Sequence, residues 1–173
     1  VSNIDKTAPT IPTWTATKSN GTSYTSGTWT NLNVTWTGFN ASDSGSGIDH
    51  YEYSNCSDNT WNLLGASYTY NVDLNWAFCI RAVDKVGNAS SQSAAFNVRI
   101  DKTAPSCTSR GGSTTWTSGN RTIYGDCLDT GSGCVTNPIS NTYSSSISTS
   151  AASPGSVSDY AGNTTTCPAN QTV

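Results

Sequence analysis

Hydrophobic residues alternate with polar ones along the first hundred residues, with the two-residue period of a β-strand. Turns rich in Gly, Asn and Ser separate the alternating stretches, and no stretch has a convincing helical period. Four strands have an apolar inward face: Leu32, Val34 and Trp36; Tyr51 and Tyr53; Trp76, Phe78, Ile80 and Ala82; Ala94, Phe96 and Val98. This pattern predicts an all-β protein built as a β-sandwich.

The chain also repeats itself. The hexapeptide IDKTAP at residues 4–9 recurs unchanged at residues 100–105. Three further segments recur behind it in the same order: 24–27 as 116–119, 43–47 as 129–133, and 84–88 as 159–163. The repetition predicts two tandem domains, residues 1–100 and 101–173, which we call the first and second repeat. The second is shorter, and the match between residues 171–173 and 97–98 leads us to expect further repeats in the parent protein.

Composition narrows the class of protein. Charged residues make up 11% of the chain, and the net charge is −3 with a pI near 4.7. There is no electrostatic basis for binding nucleic acid or an anionic membrane, and no apolar run is long enough to insert into a membrane. Six Trp and eight Tyr need burial, which argues against disorder.

Six cysteines are the most informative single count: Cys56, Cys79, Cys107, Cys127, Cys134 and Cys167. An even number favours disulfide bonds and an oxidising compartment. Zinc is the alternative, but the tightest spacing, Cys127 to Cys134, is wider than that of zinc-binding pairs. We therefore predict disulfides and no metal ligand among the cysteines.

Three motifs carry a resemblance to a known family. They are IDKTAP, the Asp-x-x-Ser-Gly-Ile block at residues 43–48, and the Ala-Val-Asp-x-x-Gly-Asn-x-Ser segment at residues 82–90. Together they resemble bacterial Ig-like repeats, which occur in tandem in large surface and secreted proteins, including adhesins. The resemblance covers residues 4–173. It implies two tandem immunoglobulin-like or fibronectin III-like β-sandwiches outside the cell, at the bacterial surface or secreted.

In the Ig-like topology the strands that carry Cys56 and Cys79 are neighbours. Alternate residues of a strand face opposite sides, and counting from the inward-facing residues of each strand puts both cysteine side chains on the outward face. We therefore expect a disulfide bond between them at the surface. The second repeat needs its bonds more, because its expected core is thin: Trp116, Ile123, Tyr124, Leu128, Val135, Ile139, Tyr143, Ile147 and Val157. We favour Cys107–Cys127 and Cys134–Cys167, with the crossed pairings as alternatives.

No catalytic residue is predicted. His50, the only histidine, lies on an outward strand face without an apparent nucleophile. Carboxylates such as Asp43, Asp49 and Glu52 could in principle act as a pair. They have no evident apolar pocket to raise one pKa, so we expect no enzyme activity.

Calcium is the one metal that the sequence leaves open. Aspartates stand at strand ends: Asp5, Asp43, Asp84, Asp101, Asp126, Asp129 and Asp159. Some related Ig-like repeats hold calcium between domains, which implies a site at the domain junction, where Asp101 could meet an Asp of a neighbouring loop. The competing interpretation is that these residues simply form turns. No other cofactor is expected.

The expected function is therefore mechanical: a stalk, spacer or adhesion segment whose partners are neighbouring Ig-like repeats and a host glycan or protein. Two alternatives stay open. Trp14, Trp29, Trp61 and Trp116 in or near loops would suit a carbohydrate-binding module attached to a secreted enzyme. Repeats of this kind could also assemble into a surface fibre.

Overall fold

A computed structural model describes residues 3–111, 118–145, 147 and 151–169. Every regular element in these ranges is a β-strand, so the all-β prediction is confirmed. The first repeat contains β1 (Thr13–Lys18), β2 (Trp29–Thr30), β3 (Val34–Asn40), β4 (Ile48–Ser54), β5 (Asn62–Leu64), β6 (Ser67–Tyr70), β7 (Leu74–Asp84) and β8 (Phe96–Ile100). The second contains β9 (Ser106–Arg110), β10 (Arg121–Leu128), β11 (Ile139–Tyr143), β12 (Ser156–Ser158) and β13 (Thr164–Thr166).

Contacts divide the chain into two compact units. One contains the residues up to Thr28 together with Leu32–Ile100, and the other contains the residues from Asp101 onward. The short segment Trp29–Asn31 groups with the second unit, which the repeat boundary did not anticipate. Within the described ranges, no helix is long and apolar enough to cross a membrane.

The first repeat has a three-stranded sheet of order β1-β3-β6 and a five-stranded sheet of order β2-β8-β7-β4-β5. Both sheets contribute to one aromatic-rich core. Trp36 of β3 is fully buried, and its ring lies 5.6 Å from that of Phe78 of β7 and 5.7 Å from that of Phe96 of β8. The predicted inward faces of these strands are confirmed at Val34, Trp36, Phe78 and Ile80.

Two inward assignments are wrong. Trp76 is 54% exposed, although Leu74 and Phe78, on either side of it in β7, pack in the core. Ala94 lies before β8 begins and is exposed.

The second repeat has a sheet of order β11-β10-β9 and a separate β12-β13 pair. Its core is small, as predicted, and is made largely of sulfur: Cys127, Val157 and Cys167 are buried, with Cys107, Cys134 and Ile139 packed against them. Leu128 and Val135 were expected in this core and are instead 68% and 49% exposed. Leu128 is the last residue of β10 and follows the buried Cys127, so strand alternation turns its side chain away from the core. Val135 lies in the segment between β10 and β11. Trp116 falls outside the described residues.

The Cys56–Cys79 bond is confirmed, although it is not the surface bond that the face count suggested. Cys79 is only 1% exposed. Cys56 lies beyond the end of β4 in a left-handed backbone conformation, so strand alternation does not apply to it. The segment between β4 and β5 folds over the outer face of β7, where the Arg81 guanidinium also stacks on the Trp61 ring.

The favoured pairing in the second repeat is wrong. The bonds are Cys107–Cys167 and Cys127–Cys134. Cys107 and Cys127 are opposed across the β9-β10 ladder, yet each bonds to a residue outside that sheet. Cys107–Cys167 therefore ties the sheet to the end of β13, which a bond between adjacent strands would not do.

The Asn137 side chain explains the disulfide between Cys127 and Cys134, which are close in sequence. Its side-chain oxygen accepts from the Cys127 amide at 3.0 Å, and its Nδ2 donates to the Cys127 carbonyl at 2.9 Å. The segment after β10 is thereby folded back along the end of that strand, which brings Cys134 to Cys127. This local contact is invisible in cysteine spacing alone.

Candidate functional site

Each repeat gathers three aspartates that are far apart in sequence. Carboxylate oxygens of Asp5, Asp43 and Asp84 lie within 4.8 Å of one another, and so do those of Asp101, Asp129 and Asp159. We call these the first and second acidic clusters. In each one the connector Asp meets an Asp from a loop, as the sequence suggested for Asp101, and an Asp at or directly after the end of a strand. Asp126 is not part of a cluster and instead pairs with Arg110 at 2.7 Å.

Backbone amides hold the carboxylates of the first cluster in place. Asp5 accepts from the amides of Thr7 at 2.9 Å and Ser46 at 2.6 Å. Asp43 accepts from Gly47 at 2.6 Å. These bonds fix the connector against the loop that begins at Asp43. The second cluster repeats them at equivalent positions.

A glycine lets the connector Asp approach so closely. A Cβ atom at Gly45 would lie 2.2 Å from Asp5 Oδ2, and one at Gly131 would lie 2.3 Å from Asp101 Oδ2. Any larger residue at either position would displace the carboxylate. The recurring Asp-x-Gly-x-Gly pattern is thus a packing requirement of the clusters as well as a turn signal.

An asparagine completes each network. Asn88 Nδ2 donates to Asp84 Oδ2 at 2.7 Å and to the Asp5 carbonyl at 3.3 Å. Asn163 Nδ2 donates to Asp159 Oδ2 at 2.7 Å and to the Asp101 carbonyl at 2.9 Å. The sequence marked the Asp-x-x-Gly-Asn repeat without identifying this role. Each connector is therefore tied to its own repeat by both its side chain and its backbone.

The first cluster favours ionised carboxylates. Hydrogen bonds from the Thr7 and Ser46 amides lower the pKa of Asp5, although the nearby Asp84 charge acts in the opposite direction. Burial raises the pKa of Asp84, but the hydrogen bonds from Asn88 and Val86 outweigh it, and the net pKa is lowered. Like charges are thus held close together near neutral pH.

The donor set fits calcium. Oδ1 of Asp43 is buried without a hydrogen-bond partner, and an orphaned carboxylate oxygen of this kind is satisfied by a hard cation. Carboxylate oxygens are the ligands that calcium prefers, and a bound ion would offset the repulsion among the three aspartates. The residues that would hold it are Asp5, Asp43 and Asp84, and their counterparts in the second repeat.

Calcium is therefore expected to raise the melting temperature. For one site, the stabilisation is about 2.7 kcal/mol when calcium exceeds its Kd a hundredfold. Asp43→Asn keeps an oxygen for the Gly47 amide but removes the charge, so it should reduce the calcium-dependent shift. Asp49→Asn is the matched control, because Asp49 lies outside the cluster. An unchanged melting temperature in calcium and in chelator would show that the clusters only cap loops.

A second group of titratable residues lies on β4 and β7. His50 Nδ1 is 2.7 Å from Asp49 Oδ2, and its Nε2 is 3.4 Å from Glu52 Oε1. Arg81 donates to Glu52 at 2.6 Å. Both imidazole nitrogens thus face carboxylates, an arrangement that stabilises imidazolium and does not activate a Ser or Cys nucleophile.

The hydrogen bond to Asp49 raises the pKa of His50 against the effect of burial, and Glu52 adds to the rise. We expect an NMR titration to give a value above 6.5, and Asp49→Asn to lower it. Because the folded-state pKa is the higher one, the stabilisation is complete below about pH 6.5 and is lost as the pH rises through the folded value. A His50 pKa below 6.5 would contradict this geometry.

Three of the tryptophans that the sequence placed in or near loops, Trp14, Trp29 and Trp61, are half-buried. Trp14 packs against Trp36 and Phe96, Trp29 is half-buried in β2, and Trp61 lies under the Arg81 guanidinium at 4.2 Å. Trp116 lies outside the described residues. A role for these tryptophans in sugar binding therefore stays a prediction.

Comparison with known proteins gives a partial match. Over 120 residues, the chain is 32% identical to Exoglucanase A of Cellulomonas fimi. Part of the chain resembles part of an exoglucanase. The match takes in 67% of this chain but only 13% of that protein. No family model matches the chain, and no solved structure matches it.

Proposed function

We propose that the chain is a non-catalytic, glucan-binding accessory module of a secreted polysaccharide-degrading protein, built from two Ig-like β-sandwich repeats. The observation that carries the proposal is the 32% identity to a stretch covering 13% of Exoglucanase A, a protein whose name states an action on glucan. The match favours this function over a host-directed adhesin.

The bonds and the site chemistry support the proposal. Three disulfides involve all six cysteines and are typical of proteins in oxidising, extracellular compartments. Within the described residues, the acidic clusters hold the connectors, and the lone histidine is flanked by carboxylates. These features are consistent with a stabilised module of a secreted protein.

A spacer is the second candidate function. Asn88 and Asn163 tie each connector to its own repeat, which would limit bending in a tandem array. A spacer needs no ligand. Adsorption to polysaccharide therefore separates the two functions.

The test uses the whole chain with insoluble β-glucan. We expect the protein to be depleted from solution by microcrystalline cellulose while releasing no reducing sugar. Serum albumin supplies the non-binding control, and a cellulase supplies the positive control for hydrolysis. Protein that stays in solution would leave the spacer function, and sugar release would overturn the assignment as non-catalytic.

A further inference from the structure

The outer face of the three-stranded sheet in the first repeat carries a regular array of hydroxyl groups. Thr15, Thr37 and Ser67 are opposed across β1, β3 and β6, and Thr17, Thr35 and Thr69 form the next row. The residues between them in sequence, such as Trp36, point into the core. We call these six residues the threonine face.

The hydroxyl groups are regularly spaced because the strands of a β-sheet, and the residues along each strand, are regularly spaced. Neighbouring strands lie about 4.8 Å apart, and residues on the same face of a strand repeat about every 6.7 Å. Each of the six positions bears a hydroxyl, and five of them also bear a methyl group. The face is therefore a two-by-three grid of small amphipathic side chains.

Hydrogen bonds and packing hold the grid in one conformation. Oγ1 of Thr15 lies 3.1 Å from that of Thr37, and Oγ1 of Thr35 lies 2.9 Å from that of Thr69. Threonine is stiff at χ1, and the aromatic core backs the sheet at Trp36. Binding to such a surface loses little conformational entropy.

The threonine face is also uncharged, unlike the outer faces of β4-β7 and of β9-β10. On the outer face of β4 and β7, Glu52 pairs with Arg81. On the corresponding face of the second repeat, Arg110 pairs with Asp126 and lies 4.7 Å from the Tyr124 ring centroid. Cross-strand threonine pairs do stabilise sheets, but that role does not account for six hydroxyl residues together without a charge.

We propose that the threonine face binds the ordered surface of an insoluble, neutral β-glucan. This inference rests on the proposed function and names the surface that performs it. Glucan hydroxyls both donate and accept hydrogen bonds, as threonine hydroxyls do, and the C–H faces of pyranose rings fit the threonine methyls. A neutral partner meets no charge on this face.

The spread of the hydroxyls over three strands determines which form of glucan the face takes. Each hydroxyl contact contributes little on its own, so affinity comes from many contacts made together. A flat, ordered polymer surface can meet both rows, whereas a short soluble oligosaccharide meets few hydroxyls. We therefore expect strong retention on microcrystalline cellulose and weak binding of cello-oligosaccharides.

The test is a depletion isotherm on microcrystalline cellulose with the full chain and a matched pair of double variants. Thr35→Val with Thr69→Val removes two hydroxyls from the threonine face while keeping β-branched residues. Thr122→Val with Thr142→Val is the control, because that pair has the same cross-strand geometry at 2.8 Å but lies outside the threonine face. We expect the partition coefficient to fall roughly tenfold for the first variant, through the loss of two hydrogen bonds, and to stay unchanged for the control.

A second variant guards against apolar adsorption by valine. Thr15→Lys with Thr69→Lys places charge and bulk at two exposed positions and should abolish retention while leaving the melting temperature of the protein near that of the wild type. Wild-type retention with no loss in either variant would overturn the face assignment and leave the proposed function intact. Absence of wild-type retention would overturn both.

Discussion

Replacing Cys107 and Cys167 with alanine is expected to unfold the second repeat at temperatures where the first repeat stays folded. The bond closes a loop over a sequence separation of 60, which corresponds to about 4 kcal/mol of stabilisation in the chain-entropy model. A domain of about 70 residues rarely has more than 3–5 kcal/mol from its core. The small cluster around Val157 and Cys127 offers no reserve.

Hydrogen exchange resolved by segment measures this effect in each repeat separately. The Cys107→Ala, Cys167→Ala variant should lose protection in β9 and β10 while β3 and β7 keep theirs. Cys127→Ala with Cys134→Ala is the graded comparison, because a separation of 7 gives about 2.5 kcal/mol. Equal protection in the two variants would show that loop length does not set the stability of this repeat.

Trp36→Ala is expected to destabilise the first repeat by about 3–5 kcal/mol. The Trp36 side chain is fully buried, and its ring centroid lies 5.0 Å from that of Tyr70 and 5.8 Å from that of Trp14. Alanine would leave a cavity that the surrounding rings cannot fill without moving. The denaturation midpoint of the first repeat measures the loss.

Trp76→Ala is the matched control, since Trp76 belongs to the same repeat and is 54% exposed. Its removal should change the free energy of unfolding by less than about 1 kcal/mol. A third variant, Trp36→Phe, should be milder than alanine because it keeps an aromatic ring and removes an indole N–H that has no partner. Equal losses at positions 36 and 76 would contradict the assignment of the core.

Strand identity in the first repeat could be predicted because alternation is a local property. Val34, Trp36 and Ile80 were placed inward by period alone, and all three are buried. Trp76 follows the same alternation yet is 54% exposed, while Leu74 and Phe78 of the same strand pack in the core. The sequence period gives the face of a strand residue and not the neighbours that cover it.

The disulfide pattern marks the limit of prediction for the second repeat. Opposed positions of Cys107 and Cys127 would favour a bond between them, but both side chains point into the core, where other sulfurs are available. The choice depends on the Asn137 side chain folding a loop back onto β10. Such a contact follows from the tertiary structure and not from spacing.

The acidic clusters and the threonine face differ in how far the sequence alone predicts them. The acidic clusters could be anticipated in part, because the repeated motifs marked Asp5, Asp43 and Asp84 as equivalents of Asp101, Asp129 and Asp159. The threonine face could not, because it needs the register of β1, β3 and β6. The Thr-x-Thr signals at residues 15–17 and 35–37 look like ordinary exposed strand positions until the strands are placed side by side.

An adsorption isotherm of the whole chain on insoluble β-glucan at two salt concentrations tests the central claim most directly. Binding through an uncharged hydroxyl face should be saturable and should not weaken between ~0.1 M and ~1 M salt, since little of it is electrostatic. Adsorption that disappears at the higher concentration would point to the charged surfaces instead. No adsorption at either concentration would contradict a glucan-binding module.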